Sequence, residues 1–248
     1  MDLEVLRLKY EAIRLATFID RPNRFVAHCE LAGETVTVHV KNTGRGKELL
    51  IAGTQVALNY QPKPNRKTEY DLVSVKKGDH WVNIDSQLPN RLVKEAQADG
   101  QLTLPGMPTL TAFRPEKVYH ESRIDFWGKT VTDHNLWIEV KGVTLENQGV
   151  AAFPDAPTER AVKHVHELIR TVHEGDVAYL LFVVQLDFAH VMTIYRQRAP
   201  KLAAAIEEAQ RVGVKVVAID CEVTAETVRL RRAVPFELDA PFHEAEVD

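Results

Sequence analysis

The run from Ala178 to Leu186 constrains this chain more than any other stretch, because it is apolar throughout except for Gln185. It is too short to cross a membrane, which takes roughly 18–20 apolar residues. It also shows no alternation of polar and apolar side chains. A strand over Val177 to Gln185 must therefore be covered on both faces, as central strands of α/β sheets are. Covering helices are readable on either side. Pro157 to Glu174 carries Val162, Val165, Leu168, Ile169 and Val172 at helical spacing, with Asp155 as the expected cap, Pro157 in the first turn and Gly175 as the stop. Pro200 to Val212 is a second helix, ended by Gly213, and Gln87 to Ala98 a third, ended near Gly100. Strands are expected at Thr109 to Glu121, Ser122 to Trp127, Asn135 to Thr144, Val214 to Ile219 and Glu222 to Leu230. The expectation is an α/β domain with a mixed sheet over residues 85–235. An acidic tail, 236–248, is expected to fray.

Upstream the pattern changes. Phe25 to Leu31, Thr35 to Val40, Gln55 to Tyr60 and Tyr70 to Val75 read as short strands, broken by Gly33, Gly53, Pro62, Pro64 and Asn65. Four or five strands in about 70 residues predict a small OB-like β-barrel, assigned to residues 1–84.

Composition excludes several classes. With 248 residues, 45% hydrophobic and 27% charged, the chain is neither disordered nor fibrous. Cys29 and Cys221 are too few for a disulfide framework or a thiolate zinc site, and are expected to be buried free thiols in a reducing cytoplasm. Met1 to Leu15 lacks the apolar block of a secretory signal. A cytoplasmic protein without a membrane partner is expected, with oligomeric state left open. The net charge of −4 argues against a polyanion partner, but its distribution does not: residues 1–80 carry +3 and residues 81–248 carry −7.

The chemistry sits on two neighbouring strands. In Ile138-Glu139-Val140-Lys141 the side chains alternate, so Glu139 and Lys141 share a face. In Arg123-Ile124-Asp125-Phe126, Ile124 and Phe126 are expected in the core and Asp125 opposite. If the strands pair across the turn 128–135, Asp125, Glu139 and Lys141 converge. Two carboxylates and a backbone carbonyl, here that of Val140, suit a hard divalent cation such as Mg²⁺ or Mn²⁺. A lysine beside them can orient an attacking water. The alternative is a surface Glu–Lys pair worth about 0–1 kcal/mol. Glu95 falls on the apolar stripe of its helix with Leu88 and Leu92, so it needs a partner or an edge position.

Glu95, Asp125 and Glu139-Val140-Lys141 resemble the signature of the PD-(D/E)xK nuclease fold. Further motifs occur in order: Asn42-Thr43-Gly44-Arg45, Ser122 to Phe126, Ile138 to Thr144, and Phe153 to Arg160 followed by Lys163-His164. Together they resemble the sugar fermentation stimulation protein (SfsA) family over nearly the whole chain, from about Phe18 to Thr224. The resemblance implies DNA binding, an N-terminal OB-like domain, a C-terminal PD-(D/E)xK-like domain, and a link to regulation of sugar (maltose) metabolism. A helix-turn-helix is not placed, since Pro200 to Val212 leads through Gly213 into strands.

Candidate nucleic-acid contacts are cationic. Arg24, Lys41, Asn42, Arg45 and Lys47 cluster around the first barrel strands, and Lys63, Arg66 and Lys67 occupy a Pro-rich loop. Arg160, Lys163 and Arg170 fall along one side of the long helix. Such cations track phosphates without strong base specificity; the alternative is ordinary solvated charge. Phe25 and Tyr60 could stack on bases, or be core. His164, His166 and His173 offer no metal-binding pair and are expected in solvent or at an interface. Gln185 is expected to hydrogen-bond into the site. Three functions remain open: a metal-dependent DNA nuclease, a DNA-binding regulator without chemistry, and an enzyme of RNA or a small phosphate ligand on the same fold.

Overall fold

The computed structural model describes residues 7–42, 44–62, 64 and 66–246. Thr43, Lys63 and Asn65 lie outside the described residues. The apolar run forms β13 (Val177–Val184), the middle strand of a seven-stranded sheet. β13 pairs in parallel with β10 (Asn135–Val143) and β15 (Lys215–Val223). Each parallel pair is joined by a helical crossover, as parallel strands require: α2 (Glu159–His173) and α3 (Pro200–Val212). Outward from β10 come β9 (Ser122–Thr130) and β8 (Leu110–Tyr119); outward from β15 come β16 (Thr227–Val234) and β1 (Leu8–Lys9).

Alternation along β13 divides the core. Ala178, Leu180, Phe182 and Val184 pack with Val165 and Leu168 of α2 and Leu202 and Ile206 of α3. Tyr179, Leu181 and Val183 face the other way, onto Leu88, Leu92 and Val93 of α1 (Leu88–Ala98). Both faces are thus dry, which is why the run could be apolar throughout.

The N-terminal strands are β2 (Ile13–Asn23), β3 (Val26–Leu31), β4 (Glu34–Val40), β5 (Gln55–Tyr60), β6 (Tyr70–Lys77) and β7 (His80–Asn83). A parallel pairing of His39–Val40 with Asp71–Leu72 joins β4 to β6 and closes β2 to β6 into a five-stranded barrel. Its interior holds Ala27, Cys29, Val38, Val56, Leu58 and Leu72. The protein is therefore a mixed α/β sheet with an OB-like barrel ahead of it. Both cysteines are buried and unbridged, and no helix among the described residues is long and apolar enough to cross a membrane.

Several expectations change. Residues 8–9 join the large sheet rather than the barrel. The last hairpin turns at residues 224–226, where the Thr224 hydroxyl accepts from the Glu226 and Thr227 N–H groups, so β16 runs later than expected. A small sheet of β11 (Leu145–Asn147), β12 (Val150–Phe153) and β14 (Val191–Ile194) was not anticipated. The acidic C-terminal segment does not fray over its described part. Phe242 is buried, and Glu237 N–H donates to the Met192 carbonyl. α2 is capped by Thr158, whose hydroxyl accepts from Ala161 N–H; Asp155 has another task.

Candidate active site and nucleic-acid groove

β9 and β10 pair from Asn135–Lys129 to Ile138–Phe126 and then part. The next facing pair would be Glu139 and Asp125. Instead the Asp125 carboxylate reaches across and accepts from the Val140 N–H at 2.8 Å. Its other oxygen accepts from Asn90 Nδ2 of α1, also at 2.8 Å. The N–H and C=O of a strand residue point to one side, so the Val140 carbonyl faces the same fork. The fork comes from a kink. On β8, Glu116 sits between the residues paired with Ile124 and Phe126, and has φ 53. Ile124 and Phe126 consequently enter opposite core layers, not one as alternation predicts, and Asp125 is turned edgewise toward β10.

Glu139 lies at the fork, 1% exposed. Its Oε1 accepts short hydrogen bonds from Lys141 Nζ and from His164 Nδ1 of α2. Arg160 Nε donates to His164 Nε2 at 3.4 Å; a proton on Nδ1 satisfies both contacts. Glu139 Oε2 is buried with no hydrogen-bond partner among the described residues. Burial would raise the Glu139 carboxyl, but the hydrogen bond from His164 and the charge and hydrogen bond of Lys141 outweigh it and hold the group below its ordinary value. Burial first, then the Glu139 charge, push Asp125 above the ordinary range, against Val140 N–H, Lys141 and Asn90. The two carboxyls are therefore near enough to feel each other and are driven apart in acidity.

This donor set fits a hard cation. A buried carboxylate oxygen without a partner among the described residues, a second carboxylate that feels the charge of the first, and the carbonyl of Val140 between Glu139 and Lys141 lie where β9 and β10 part. Among the described residues no group of three or more His, Cys, Asp or Glu side chains is placed to hold a metal. Waters would complete the shell, as they do for Mg²⁺. Glu95 is half-buried on α1 and its side chain makes no hydrogen bond or ion pair among the described residues; Asn90 is the α1 side chain that reaches Asp125. His164 was expected in solvent or at an interface. It is buried on Glu139 because α2 packs its apolar stripe over β13 and turns this position inward.

The expected cations divide into two sets. Arg24, Lys47, Lys67, Arg160 and Lys163 are exposed. Lys41, Asn42 and Arg66 are instead engaged within the protein: Lys41 pairs with buried Asp85 at 2.7 Å, Asn42 bonds the Ile84 carbonyl and Gly44 N–H, and Arg66 pairs with buried Asp71. Arg45 is half-committed, with Nε donating to the Asp155 carbonyl at 3.2 Å. Asp155 also accepts from Gly46 N–H at 3.0 Å. A Cβ on Gly44 would lie 2.6 Å from Asp155 Oδ2, so this close approach needs glycine. Two motifs far apart in sequence thus meet at one junction. Arg21 organises it, donating to the carbonyls of Arg24, Asn42, Gly44 and Arg45. Nothing in the sequence marks Arg21, because its partners are main-chain atoms.

A cleft of about 740 Å³ runs along this junction, lined by Arg21, Arg24, Arg45, Lys47 and Arg198. A second, of about 360 Å³, shares Arg24 and Gly44 with it and reaches Gly142, Thr158 and Gln185. Gln185 does not enter the carboxylate cluster; its amide nitrogen donates to Asn83 Oδ1 and the Asp85 carbonyl. Phe25, 56% exposed, and Tyr60, 37% exposed, stand on the barrel surface.

An OB-like barrel abutting a mixed α/β sheet, with Asp and Glu-x-Lys at a strand fork, defines a protein of the restriction-endonuclease-like class. Residues 19–84 match the SfsA N-terminal OB domain, and residues 87–227 match the Sugar fermentation stimulation protein RE domain. The chain belongs to the sugar fermentation stimulation protein family. A homologue of that protein from Enterococcus mundtii is 46% identical over 239 residues, covering 96% of this chain and 99% of the relative. One from Lacticaseibacillus casei (strain BL23) is 45% identical over 235 residues, covering 95% and 97%. The solved SfsA of Pyrococcus furiosus, in complex with Ca²⁺, shares the fold with a TM-score of 0.77 at 23% identity, covering 93% of this chain and 100% of that one.

Proposed function

We propose that this chain binds DNA through backbone phosphates along the junction groove and cleaves it at a divalent-metal site made by Asp125, Glu139 and the Val140 carbonyl. The observation that carries this reading is Glu139 Oε2, a buried carboxylate oxygen without a hydrogen-bond partner among the described residues, where β9 and β10 part beside a second carboxylate. Mg²⁺ or Mn²⁺ is the expected cation; the Ca²⁺ held by the Pyrococcus furiosus relative is likewise a hard, oxygen-seeking ion. When bound, the cation supplies charge stabilisation at the scissile phosphate and a more acidic water. Lys141 orients the attacking water. His164 and Arg160 hold Glu139 in place, and Asn90 holds Asp125. Glu95 assists from α1. Arg24, Lys47, Lys67 and Lys163 carry the phosphates, with Arg45 and Arg160 adding charge near the junction and α2.

One observation favours a second reading. Both Asp125 oxygens and Glu139 Oε1 are already satisfied by protein donors, so the cluster is stable without a cation. The chain would then be a catalytically silent DNA-binding regulator of sugar (maltose) metabolism genes. Incubation of pure protein with single- and double-stranded DNA plus Mg²⁺ or Mn²⁺ separates the two. Cleavage by the wild type and its loss in Glu139→Ala is expected. Equal cleavage by both proteins, or none by the wild type, refutes the nuclease assignment.

A further inference from the structure

Gln185 carries an unspent hydrogen-bond acceptor. The residue is 1% exposed, yet it lines the 360 Å³ cleft between barrel and sheet. Its amide orientation is determined, because Nε2 donates to the Asp85 main-chain carbonyl at 3.1 Å and to Asn83 Oδ1 at 2.9 Å, and a carbonyl can only accept. Oε1 must therefore face away from that network. It lies over Gly142, where an added Cβ would be 2.5 Å from it. Gly142 lines the same cleft and follows Lys141 of the carboxylate cluster. Oε1 accepts no hydrogen bond among the described residues. Asn83 is fixed in turn by Tyr10 and Ser74, so the acceptor is rigid. Exposed Arg24 also lines the cleft and makes no side-chain hydrogen bond or ion pair among the described residues.

A fixed acceptor opening on the cleft, a guanidinium with no side-chain partner among the described residues, and a one-nucleotide volume that starts one residue along β10 from Lys141 define a ligand. We propose that the cleft is a subsite for one unpaired nucleotide next to the scissile phosphate, with Gln185 Oε1 accepting from the base and Arg24 holding its phosphate. Every base has an N–H on its pairing edge, and that edge is free only when the base is unpaired. The subsite thus selects unpaired DNA without selecting a base. About 360 Å³ lies within the range of roughly 300–1,000 Å³ of small-ligand pockets. This inference rests on the DNA-binding reading and narrows it.

The test uses the full chain, with Ca²⁺ present and fluorescent duplexes that are either fully paired or carry a one-nucleotide bulge. The bulge is expected to bind up to about tenfold more tightly, the worth of one hydrogen bond. An abasic bulge is expected to lose that gain, and 2-aminopurine at the bulge to change fluorescence on binding. Arg24→Ala, a surface change that leaves the buried network intact, is expected to lose the preference for the bulge. Equal affinity for the base-bearing and abasic bulges overturns the subsite while leaving DNA binding standing. Absence of binding to every duplex overturns both. Since Gln185→Leu also breaks the Asn83 and Asp85 contacts, the abasic comparison in the unmodified protein is the deciding measurement.

Discussion

Glu48 shows how one side chain can set a pH dependence at the domain junction. It is 7% exposed, and its Oε1 has no partner among the described residues. Burial, with Asp155 and Glu244 adding and its own backbone N–H and Lys77 opposing, pushes its carboxyl from 4.5 up to about 7. The folded state then holds a proton that the unfolded chain releases. The stabilising contribution is complete below about 4.5 and is lost as pH rises to about 7. At about 1.4 kcal/mol per pKa unit the loss is on the order of 3 kcal/mol. Glu48→Gln is expected to flatten that fall and to be the more stable protein at pH 8. Urea midpoints at pH 5 and pH 8 measure it; an undiminished fall in the variant contradicts it. The same scale shows what a sequence reveals. Glu139 and Lys141 were readable as a pair because strand alternation is a local rule. His164 was not, since its contact depends on how α2 rotates against β10. Lys41 and Arg66 looked free because their carboxylate partners, Asp85 and Asp71, are placed by folding.

At the level of elements, long periodic segments were legible and short ones were not. β13 and the three helices follow from unbroken apolar character or helical spacing. The β11–β12–β14 sheet consists of three- and four-residue strands, too short to carry a period. The β9–β10 fork was half legible: antiparallel pairing followed from the short turn, but the kink opposite Glu116 did not. Asp155 was read as a helix cap, and Thr158 performs that role while Asp155 ties α2's leading loop to the barrel. That tie predicts the effect of a single methyl group. Gly44→Ala places a Cβ 2.6 Å from Asp155 Oδ2 and 2.8 Å from Asn42 Oδ1. Destabilisation of about 1–3 kcal/mol is expected, with weaker DNA binding because Arg24 and Arg45 flank the displaced loop. Thermal unfolding and DNA titration check this; a variant as stable as wild type shows that the junction yields freely.

For the whole molecule, the uneven charge seen in sequence becomes a spatial arrangement. The basic barrel lies against an acidic α/β sheet, and exposed Arg24, Arg45 and Lys47 line the cleft between them. On the proposed reading, DNA binding along this cleft is expected to fall steeply with salt, as phosphate contacts do. Arg24 and Gly142, the residue after Lys141, line one cleft. The proposed nuclease reading requires that the fork hold a cation. Calorimetric titration of Mn²⁺ into wild type, Asp125→Asn and Glu139→Gln addresses that directly. The wild type is predicted to take up Mn²⁺ at the fork, with affinity falling at least about tenfold in each variant. Titration curves that match among all three proteins would contradict a cation held between Asp125 and Glu139.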